Sequence, residues 1–510
     1  MRLMMNVFSE RAGRLVFLCL WLTLHSFCRT SFLNDPGSFS HTMYGETMLQ
    51  QGSLIRTDQF TCSRYGQPWI AQQWLGEVIM ALLGRIGGFD ALLLAATLLV
   101  SLLFTGIWIR IYNSGMHFLL TVLLLFLAIS SSSMQFLVRP LLFTMAALAW
   151  LFSLLIDLEA GRRPVFHLCF SIPVFWIWAN THGGYLGGIG TLGLCVSGWT
   201  GLRLAGYPSP LKSTKDVLFA WTMVVLAIAM SILGPYGIEL PRTWAKIVES
   251  PLLKEIIIEH RPLYHHPLSI LPMLLMALYS FFLVRFSNRP IRLSWLIPLV
   301  WFVLAWERLR HVPLFGITAA LGFADMYQNS TRLDALAVSK PLYARTDGRP
   351  SPRLPIRTAL AIFVIGLWLQ ASGSSLPFLG AGWAKPDHSR WPMELIPTMR
   401  EFAARKGSGK SVFTEFNLGS WAVGIDARLR VTMDDRCELF GDALLREHHE
   451  SEKNTCLIAS WVRTYAPAAA LTRPGSPFDA WFQTTPGWKV IASAPAGIWY
   501  ETTGSGSTMP

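Results

Sequence analysis

Long apolar runs alternate with polar segments from residue 15 to residue 376. A helix needs roughly 20 mainly apolar residues to cross a bilayer. These runs approach that length when the residues that flank each of them are included. The apolar cores of eleven predicted spans are 15–32, 91–109, 118–130, 141–156, 166–178, 185–204, 217–233, 268–284, 295–306, 312–324 and 359–376. The pattern therefore predicts an all-α polytopic membrane domain over residues 1–376.

Two polar segments are much longer than the other connections, namely residues 33–87 and 234–267. In the first of them, apolar residues between Trp69 and Leu83 recur near helical spacing, which predicts an amphipathic helix lying on the membrane surface. Both segments are predicted to be outer loops.

The chain after residue 376 loses the long apolar runs and is predicted to form a small C-terminal α/β domain, residues 377–510. Its predicted helices are 391–404 and 439–449, and its predicted strands are 411–415, 429–433, 488–493 and 497–501. About 125 residues suffice for one modest hydrophobic core. Cys437 and Cys456 lie in this domain, and whether they form a disulfide is left open.

Composition and charge agree with a membrane protein. The chain has 510 residues, of which 52% are hydrophobic and 15% charged, whereas soluble domains carry about 25% charged residues. The net charge of +12 does not indicate nucleic-acid binding, because the basic residues are scattered over short loops. With the N-terminus in the cytoplasm, Arg110, Arg162 and Arg163 fall in cytoplasmic loops, as the positive-inside rule requires. An odd number of spans then places the C-terminal domain outside.

Several short motifs follow one another in the order seen in a known family. They are Asn34-Asp35-Pro36, His41, Gly45-Glu46, Thr57-Asp58-Gln59-Phe60, Trp74-Leu75-Gly76-Glu77, Arg139-Pro140, the run 178–184 that contains His182, Arg308 to Pro313, the run 412–421 and Asp434-Asp435-Arg436. Together they resemble bacterial GT-C glycosyltransferases, in the group similar to protein mannosyltransferases and aminoarabinose transferases. The resemblance covers most of the chain.

The resemblance implies an enzyme of the bacterial inner membrane that moves a sugar from a polyprenyl-phosphate-linked donor to a lipid, glycan or protein acceptor outside the cytoplasm. Asp35 matches the acidic residue that serves as general base, and a single displacement would invert the anomeric configuration. Membrane lipids are the other expected partner, and no nucleic acid is expected. The donor sugar and the participation of a divalent cation are left open.

The residues themselves suit this chemistry. Asp35 follows the first span directly, and a carboxylate at the mouth of a membrane protein is a costly placement that marks functional sites. A sugar transferase needs such a base close to the acceptor hydroxyl and cations near the departing phosphate. Guanidinium groups suit phosphate oxygens. The candidate substrate- and phosphate-binding residues at predicted outer ends are His41, Glu46, Asp58, Arg139, His182, Glu259, Arg308, Arg310 and His311.

Most of these candidates also have a structural interpretation. Asp35 could cap the amphipathic segment, since Asp-Pro opens turns and helices, and Glu46 and Asp58 could be solvated loop charges. Arg139 could reach towards lipid headgroups, and His182 could be a turn residue.

The same applies to the remaining candidates. Arg308, Arg310 and His311 could anchor headgroups, and Glu259 could belong to a plain loop. The spacing of the histidines near residue 260 is not diagnostic of a metal site. A transporter or lipid flippase, and a non-catalytic envelope scaffold, are the alternative functions. Against transport stand the long outer loops and the lack of repeat symmetry.

Overall fold

The computed structural model describes residues 2–288, 290–337, 351–406 and 410–503. The helices of the predicted membrane domain are α1 (Arg2–Phe27), α2 (Gly37–Gln51), α3 (Trp74–Asn113), α4 (Phe118–Ser132), α5 (Leu141–Glu159), α6 (Ser171–Thr181), α7 (Tyr185–Leu204), α8 (Thr214–Met230), α9 (Glu239–Glu249), α10 (Leu253–Ile256), α11 (Ile270–Phe286), α12 (Ile297–Glu307), α13 (Val312–Asn329), α14 (Thr331–Ala337) and α15 (Ile356–Ala371). Each predicted apolar core overlaps one of these helices.

Four helical stretches within the described residues are long and apolar enough to cross a membrane. They are Trp74–Asn113, Phe118–Gln135, Leu141–Glu159 and Pro267–Phe286. The chain is therefore a membrane protein, and the number of eleven spans stays a prediction. Shorter apolar helical segments at Val165–Thr181, Leu293–Glu307 and Ile356–Ala371 accompany them.

The connections between helices alternate between two ends of the bundle. The α4–α5, α6–α7 and α12–α13 connections line one cavity, whereas the α5–α6, α7–α8 and α11–α12 connections line another. Helix α5 joins the two, since Arg139, two residues before it, lines the first cavity and its last residues, Leu158 and Glu159, line the second. Its 19 residues span about 28 Å at 1.5 Å per residue, close to the thickness of the hydrocarbon core.

The first outer segment, residues 33–87, differs from the sequence prediction. Helix α2 was not predicted, because Gly37, Ser38, Ser40 and Gly45 give it no apolar stripe, yet almost its whole first half is buried. The predicted surface helix does not lie on its own. It starts at Trp74 and runs into the following span through a turn at Gly87 and Gly88, where Gly88 has φ +59°.

The tail domain contains a five-stranded sheet, and its predicted α/β class is confirmed. Its strands are β1 (Ser411–Thr414), β2 (Arg430–Val431), β3 (Ala469–Thr472), β4 (Trp488–Ala494) and β5 (Gly497–Thr502), in the order β2-β1-β3-β5-β4. β1 pairs in parallel with β2 and β3, and β5 pairs antiparallel with β3 and β4. Its helices are α16 (Ile396–Lys406), α17 (Phe416–Ile425), α18 (Cys437–Ser451), α19 (Thr455–Tyr465) and α20 (Pro477–Thr484).

The four predicted strands are all present, but β3 and the helices α17, α19 and α20 were not predicted. Strand β3 reads Ala-Ala-Leu-Thr and is buried on both faces, so it lacks the alternation that marks a half-exposed strand. Cys437 and Cys456 are both free thiols. Residues 504–510 of the predicted domain lie outside the described residues.

The tail is docked on the first outer segment. Phe60 accepts a backbone hydrogen bond from Val431 at 3.0 Å, and Cys62 donates one to Val431 at 2.9 Å, so this loop extends the edge of the sheet. Helix α17 packs on α2, where a Cβ at Gly424 would lie 2.4 Å from the Phe39 Cβ. Tail residues such as Phe416, Asp435 and Glu438 consequently form part of the lining of the cavity at this end of the bundle.

We expect Gly45→Ala to destabilise the protein. A Cβ at Gly45 would lie 2.0 Å from the Glu77 carbonyl oxygen, so α2 and α3 must separate. Overpacking of this kind costs about 1–3 kcal/mol, and thermal unfolding of the purified protein in detergent measures it. Gly190→Ala is the matched control, because a Cβ there meets nothing within 4 Å. Equal melting temperatures for the two variants would contradict the described packing of α2 on α3.

Candidate active site

A cavity of about 500 Å³ lies where the two long polar segments, 33–87 and 234–267, meet the tail. The α1–α2, α4–α5 and α6–α7 connections, the segment 244–260 and the α12–α13 connection all contribute to it. Its polar lining includes Asp35, His41, Glu77, Arg139, His182, Glu259, His260, Arg310, Asp435 and Arg436. Six of the ten predicted site residues, from five separate parts of the chain, therefore converge on one cavity.

Asp35 and Glu259 face the same guanidinium group. Arg139 Nη1 donates to Asp35 Oδ2 at 3.2 Å and to Glu259 Oε1 at 3.1 Å. The other Asp35 oxygen, Oδ1, accepts from the Gly37 N–H at 2.8 Å. Asp35 thus fixes the start of α2 through the Gly37 N–H, but it is not the N-cap, which is Pro36 and makes no side-chain cap hydrogen bond. Asp35 also lines the cavity with a side chain that is 15% exposed.

The surroundings of Asp35 favour its protonated form. Burial raises the pKa of Asp35, Arg139 lowers it, and the nearby Glu259 and Asp435 carboxylates raise it again, so that the net change is upward. A raised pKa moves a carboxylate towards the range in which it accepts a proton effectively near neutral pH. Burial opposes the charge of Arg139, but Asp35 and Glu259 outweigh burial and raise the pKa of that guanidinium.

Arg310 is a second cation of the cavity and differs from Arg139 in its partners. Within the described residues it forms no ion pair, and its Nη1 instead lies 2.9 Å from His260 Nε2. Burial and the neighbouring Arg310 and Arg308 lower the pKa of His260 to about 2, so this imidazole is neutral. Burial also lowers the pKa of Arg310, but a guanidinium stays charged in proteins. Arg310 therefore brings to the cavity a positive charge that has no ion-pair partner in the part of the chain that the structure describes, although the nearby Glu259 carboxylate acts to raise its pKa.

His182 is fixed in one tautomer. Its Nδ1 accepts from the Gly184 N–H at 3.0 Å and lies 2.8 Å from Thr144 Oγ1. Burial, Arg310 and Arg139 hold its pKa well below the ordinary value, so the ring is neutral and its proton is on Nε2. A Cβ at Gly183 would lie 2.5 Å from the Trp244 ring, so the glycine lets the indole of α9 close over this turn.

His41 also lines the cavity, and its Nδ1 lies 2.9 Å from Glu77 Oε1. Glu77 is buried, and its Oε2 has no hydrogen-bond partner among the described residues. The pair sits beside Tyr44, whose ring meets the imidazole edge-to-face at 6.1 Å. This part of the cavity offers hydrogen-bonding groups to a polar ligand.

Asp58 does not line the cavity and instead anchors its roof. It is buried and accepts from the backbone N–H groups of Phe60 and Thr61. Its Oδ1 lies 2.7 Å from Arg436 Nη2, which also pairs with Asp434 at 2.6 Å. The Arg436 guanidinium lies 4.3 Å from the centroid of the Trp69 ring. The solvated-charge interpretation of Asp58 is wrong, because this carboxylate joins the outer loop to the tail.

Three other predicted site residues point elsewhere. Glu46 pairs with Arg85 at 2.8 Å in a half-exposed position away from the cavity. Arg308 donates to the Val248 carbonyl at 2.9 Å, and the His311 ring packs beside Trp301 at 5.9 Å. Arg308 and Arg310 are separated by a single residue of a 3-10 turn, and this turn directs only Arg310 to the cavity lining.

Sequence reasoning left Asp435, Glu77 and Glu438 out of the site. Asp435 follows β2, and its N–H donates to Ser420 Oγ at 2.8 Å; Glu438 accepts from Trp69 Nε1 at 2.9 Å. The run Asp434-Asp435-Arg436 was part of the family resemblance, and Glu77 ends another of its motifs. Those motifs were a signal by which Asp435 and Glu77 could have been assigned to the site, whereas the pattern of charged residues alone gave no such signal.

Comparison with known proteins identifies the fold of this chain. No family model and no curated protein sequence matches this chain. The structure is similar to archaeal oligosaccharyltransferase AglB from Archaeoglobus fulgidus in complex with an inhibitory peptide and a dolichol-phosphate, with 12% identity and a TM-score of 0.53 over 91% of this chain and 69% of that one. A crystal structure of the same oligosaccharyltransferase, tethered with an acceptor peptide containing the NVT sequon, matches with 13% identity and a TM-score of 0.52 over the same shares.

The chain has a GT-C fold. A further structure, ArnT from Cupriavidus metallidurans bound to undecaprenyl phosphate, covers 96% of this chain and 98% of that one with 13% identity. Its TM-score of 0.47 is too low to support a conclusion. The predicted resemblance to GT-C proteins is thereby confirmed at the level of the fold.

The paired carboxylates Asp35 and Glu259 do not form a site that suits a divalent cation. Both Asp35 and Glu259 are engaged by a single guanidinium nitrogen of Arg139. Among the described residues, no group of three or more His, Cys, Asp or Glu side chains is placed to hold a metal ion. Arg139 therefore supplies positive charge between these two carboxylates.

We expect Arg436→Gln to destabilise the docked tail of this GT-C protein. Removing one partner from a buried ion pair costs about 3–5 kcal/mol, because Asp58 and Asp434 would then be buried without their cation. Limited proteolysis of the tail and thermal unfolding measure the effect. Arg428→Gln is the control, since Arg428 pairs with Asp426 at an exposed site and its loss should change little. An unchanged protease sensitivity of Arg436→Gln would refute the anchoring role.

Proposed function

We propose that this protein is an integral-membrane glycosyltransferase that moves a sugar from a polyprenyl-phosphate donor to a hydroxyl acceptor at the outer face of the membrane, with Asp35 as general base. The observation that carries the proposal is the cavity in which Asp35 and Arg310 are brought together under the docked tail. The GT-C fold supports it, because AglB, which is similar to this chain, has been captured with a dolichol-phosphate.

Asp35 is the best placed base. It is held on both oxygens, by Gly37 and by Arg139, so its orientation is set before substrate binds. Glu259 shares Arg139 and adds negative charge that favours proton uptake by Asp35. Glu77 is paired with His41 in another part of the lining.

Arg310 is the best placed cation for the donor phosphate. Arg139 already faces two carboxylates, so little of its charge remains for a ligand. Arg310 contacts the neutral His260 ring and forms no ion pair within the described residues, and a guanidinium binds phosphate oxygens well. The neutral His182, with its proton on Nε2, supplies a further donor in the same lining.

The proposed reaction is a single displacement. The acceptor oxygen forms a bond with the anomeric carbon as its proton passes to the Asp35 carboxylate. The bond from the anomeric carbon to the phosphate oxygen breaks, and its electron pair leaves with the polyprenyl phosphate. Negative charge grows on that phosphate in the transition state, where a preorganised cation such as Arg310 is most effective. The anomeric configuration is inverted.

The cavity end of the bundle is then the outer face. We place the N-terminus in the cytoplasm and the tail outside, as the distribution of basic loop residues predicts. The tail forms the roof of the cavity, and a lipid-linked donor would enter from the bilayer between the helices below it.

We expect Asp35→Asn to lower the transfer rate by about 10²- to 10⁴-fold, the contribution of a general base. The assay uses the purified protein in liposomes, polyprenyl-phosphate donors that each carry one radiolabelled sugar, and a membrane extract as acceptor. The wild-type rate should fall as pH decreases through the pKa of Asp35, which lies above that of a free carboxyl, because only the carboxylate accepts a proton.

Glu46→Gln serves as the matched carboxylate control, since Glu46 lies away from the cavity, and it should keep the wild-type rate. Asp35→Asn should still bind a polyprenyl phosphate that carries no sugar. If Asp35→Asn retained turnover on a donor that the wild type uses, Asp35 would not be the base.

We expect Arg310→Gln to weaken binding of polyprenyl phosphate by about 10- to 100-fold, as the loss of a charged hydrogen bond implies. Arg308→Gln, two residues away and outside the cavity lining, should bind as the wild type does. Arg310→Lys keeps the charge and should recover part of the affinity, which separates phosphate binding from misfolding. Native mass spectrometry of the detergent-solubilised protein measures all three, and equal losses in Arg308→Gln and Arg310→Gln would contradict the assignment.

A further inference from the structure

A second cavity, of about 790 Å³, lies at the end of the bundle opposite Asp35. It is formed by the α5–α6, α7–α8 and α11–α12 connections together with the end of α13. Its charged lining residues are Glu159, Arg163, Lys212, Asp216 and Arg292. None of these residues takes part in the proposed transfer reaction.

Positive charge at this end exceeds the carboxylates that face it. Asp157 is shared by Arg110 at 2.8 Å, Arg162 at 2.8 Å and Arg163 at 3.6 Å. Asp325 is shared by Arg162 at 2.7 Å and Arg292 at 2.6 Å. Four guanidinium groups thus share two carboxylates.

The remaining groups do not remove the excess. Both Glu159 oxygens accept backbone N–H groups, from Leu293 at 2.7 Å and Ser294 at 2.8 Å. Asp216 accepts the Ser213 N–H at 2.7 Å in the capping box of α8. Lys212 is exposed, and its ammonium has no ion-pair partner among the described residues. Arg163 and Lys212 are therefore the cations available to a bound anion.

The apolar rim of this cavity consists of Tyr207, which lines it, and of Phe166, Phe170 and Leu204, which follow the lining residues Val165 and Leu202 within five positions of the chain. Phe166, Phe170 and Tyr207 are each more than half exposed, and Leu204 is 83% exposed. In a membrane protein such side chains contact lipid, so an anion in the cavity would sit next to acyl chains. The cavity also lies one α5 length, about 28 Å, from the Arg139 end, which matches the distance between the two headgroup layers of a bilayer.

We propose that this cavity binds the phosphodiester headgroup of an anionic glycerophospholipid, held by Arg163 and Lys212, with its acyl chains along Phe166, Phe170 and Leu204. Basic pockets between membrane helices on the cytoplasmic side bind anionic headgroups in this way. The apolar rim favours a lipid over a soluble phosphate, which needs no such surface. The site is independent of the polyprenyl phosphate proposed for the Asp35 cavity.

The test is a lipid titration of the full-length, delipidated protein followed by native mass spectrometry. The wild type should bind phosphatidylglycerol in preference to phosphatidylcholine. The double variant Arg163→Gln/Lys212→Gln should bind phosphatidylglycerol roughly tenfold more weakly and lose the preference. Both side chains are largely exposed, so the variant should fold, and an unchanged melting curve in detergent verifies this.

Lys215→Gln is the matched control, since Lys215 is an exposed cation on the first turn of α8 that does not line the cavity, and it should keep the preference. Competition with sn-glycerol 3-phosphate separates the two sources of a phosphate group. Displacement of phosphatidylglycerol by that soluble anion at equal concentration would overturn the lipid assignment. Equal affinity of the double variant and the wild type for phosphatidylglycerol would overturn the site itself.

Discussion

The buried cation of Arg436 is the interaction on which the candidate active site depends. It pairs with Asp58 from the first outer segment and with Asp434 from the tail, and the Trp69 ring lies beside it. A buried cation of this kind is tolerated only when all of its neighbours are in place. The strand-like contact of Phe60 with Val431 adds to the same junction. Without this junction, the cavity would be lined by the membrane helices but would not be covered by the tail.

Within the cavity, Arg139 and Arg310 have different roles because they have different neighbours. Arg139 is placed between two carboxylates and sets the geometry of Asp35, whereas Arg310 contacts a neutral imidazole and forms no ion pair among the residues that the structure describes. Both are long, charged side chains at helix ends, and their different partners alone distinguish them. The electrostatics of the cavity thus depend on which carboxylates each arginine is paired with. The number of charged residues alone would assign both arginines the same role.

Three features could be predicted from the sequence. They are the helical bundle, the tail strands that have alternating or flanked patterns, and the convergence of Asp35, Arg139 and Arg310. They were predictable because apolar run length and position at span ends are local signals. It could not separate Arg308 from Arg310, since a 3-10 turn decides which one faces inwards. Asp58 was misjudged because its partner Arg436 lies in the other domain. Helix α2 was missed because tertiary burial, and not an apolar stripe, stabilises it.

The junction of Asp58 with Arg436 also sets an order of assembly. Asp58 leaves the ribosome before ten of the eleven predicted spans, and Arg436 leaves it after all of them. At about 5–20 residues per second, the interval between them lasts roughly tens of seconds, during which the loop and its carboxylate are without their cation. The cavity therefore gains its lining from the tail only after the whole helical bundle has been synthesised, and a chain that ends before Arg436 leaves Asp58 without its cation.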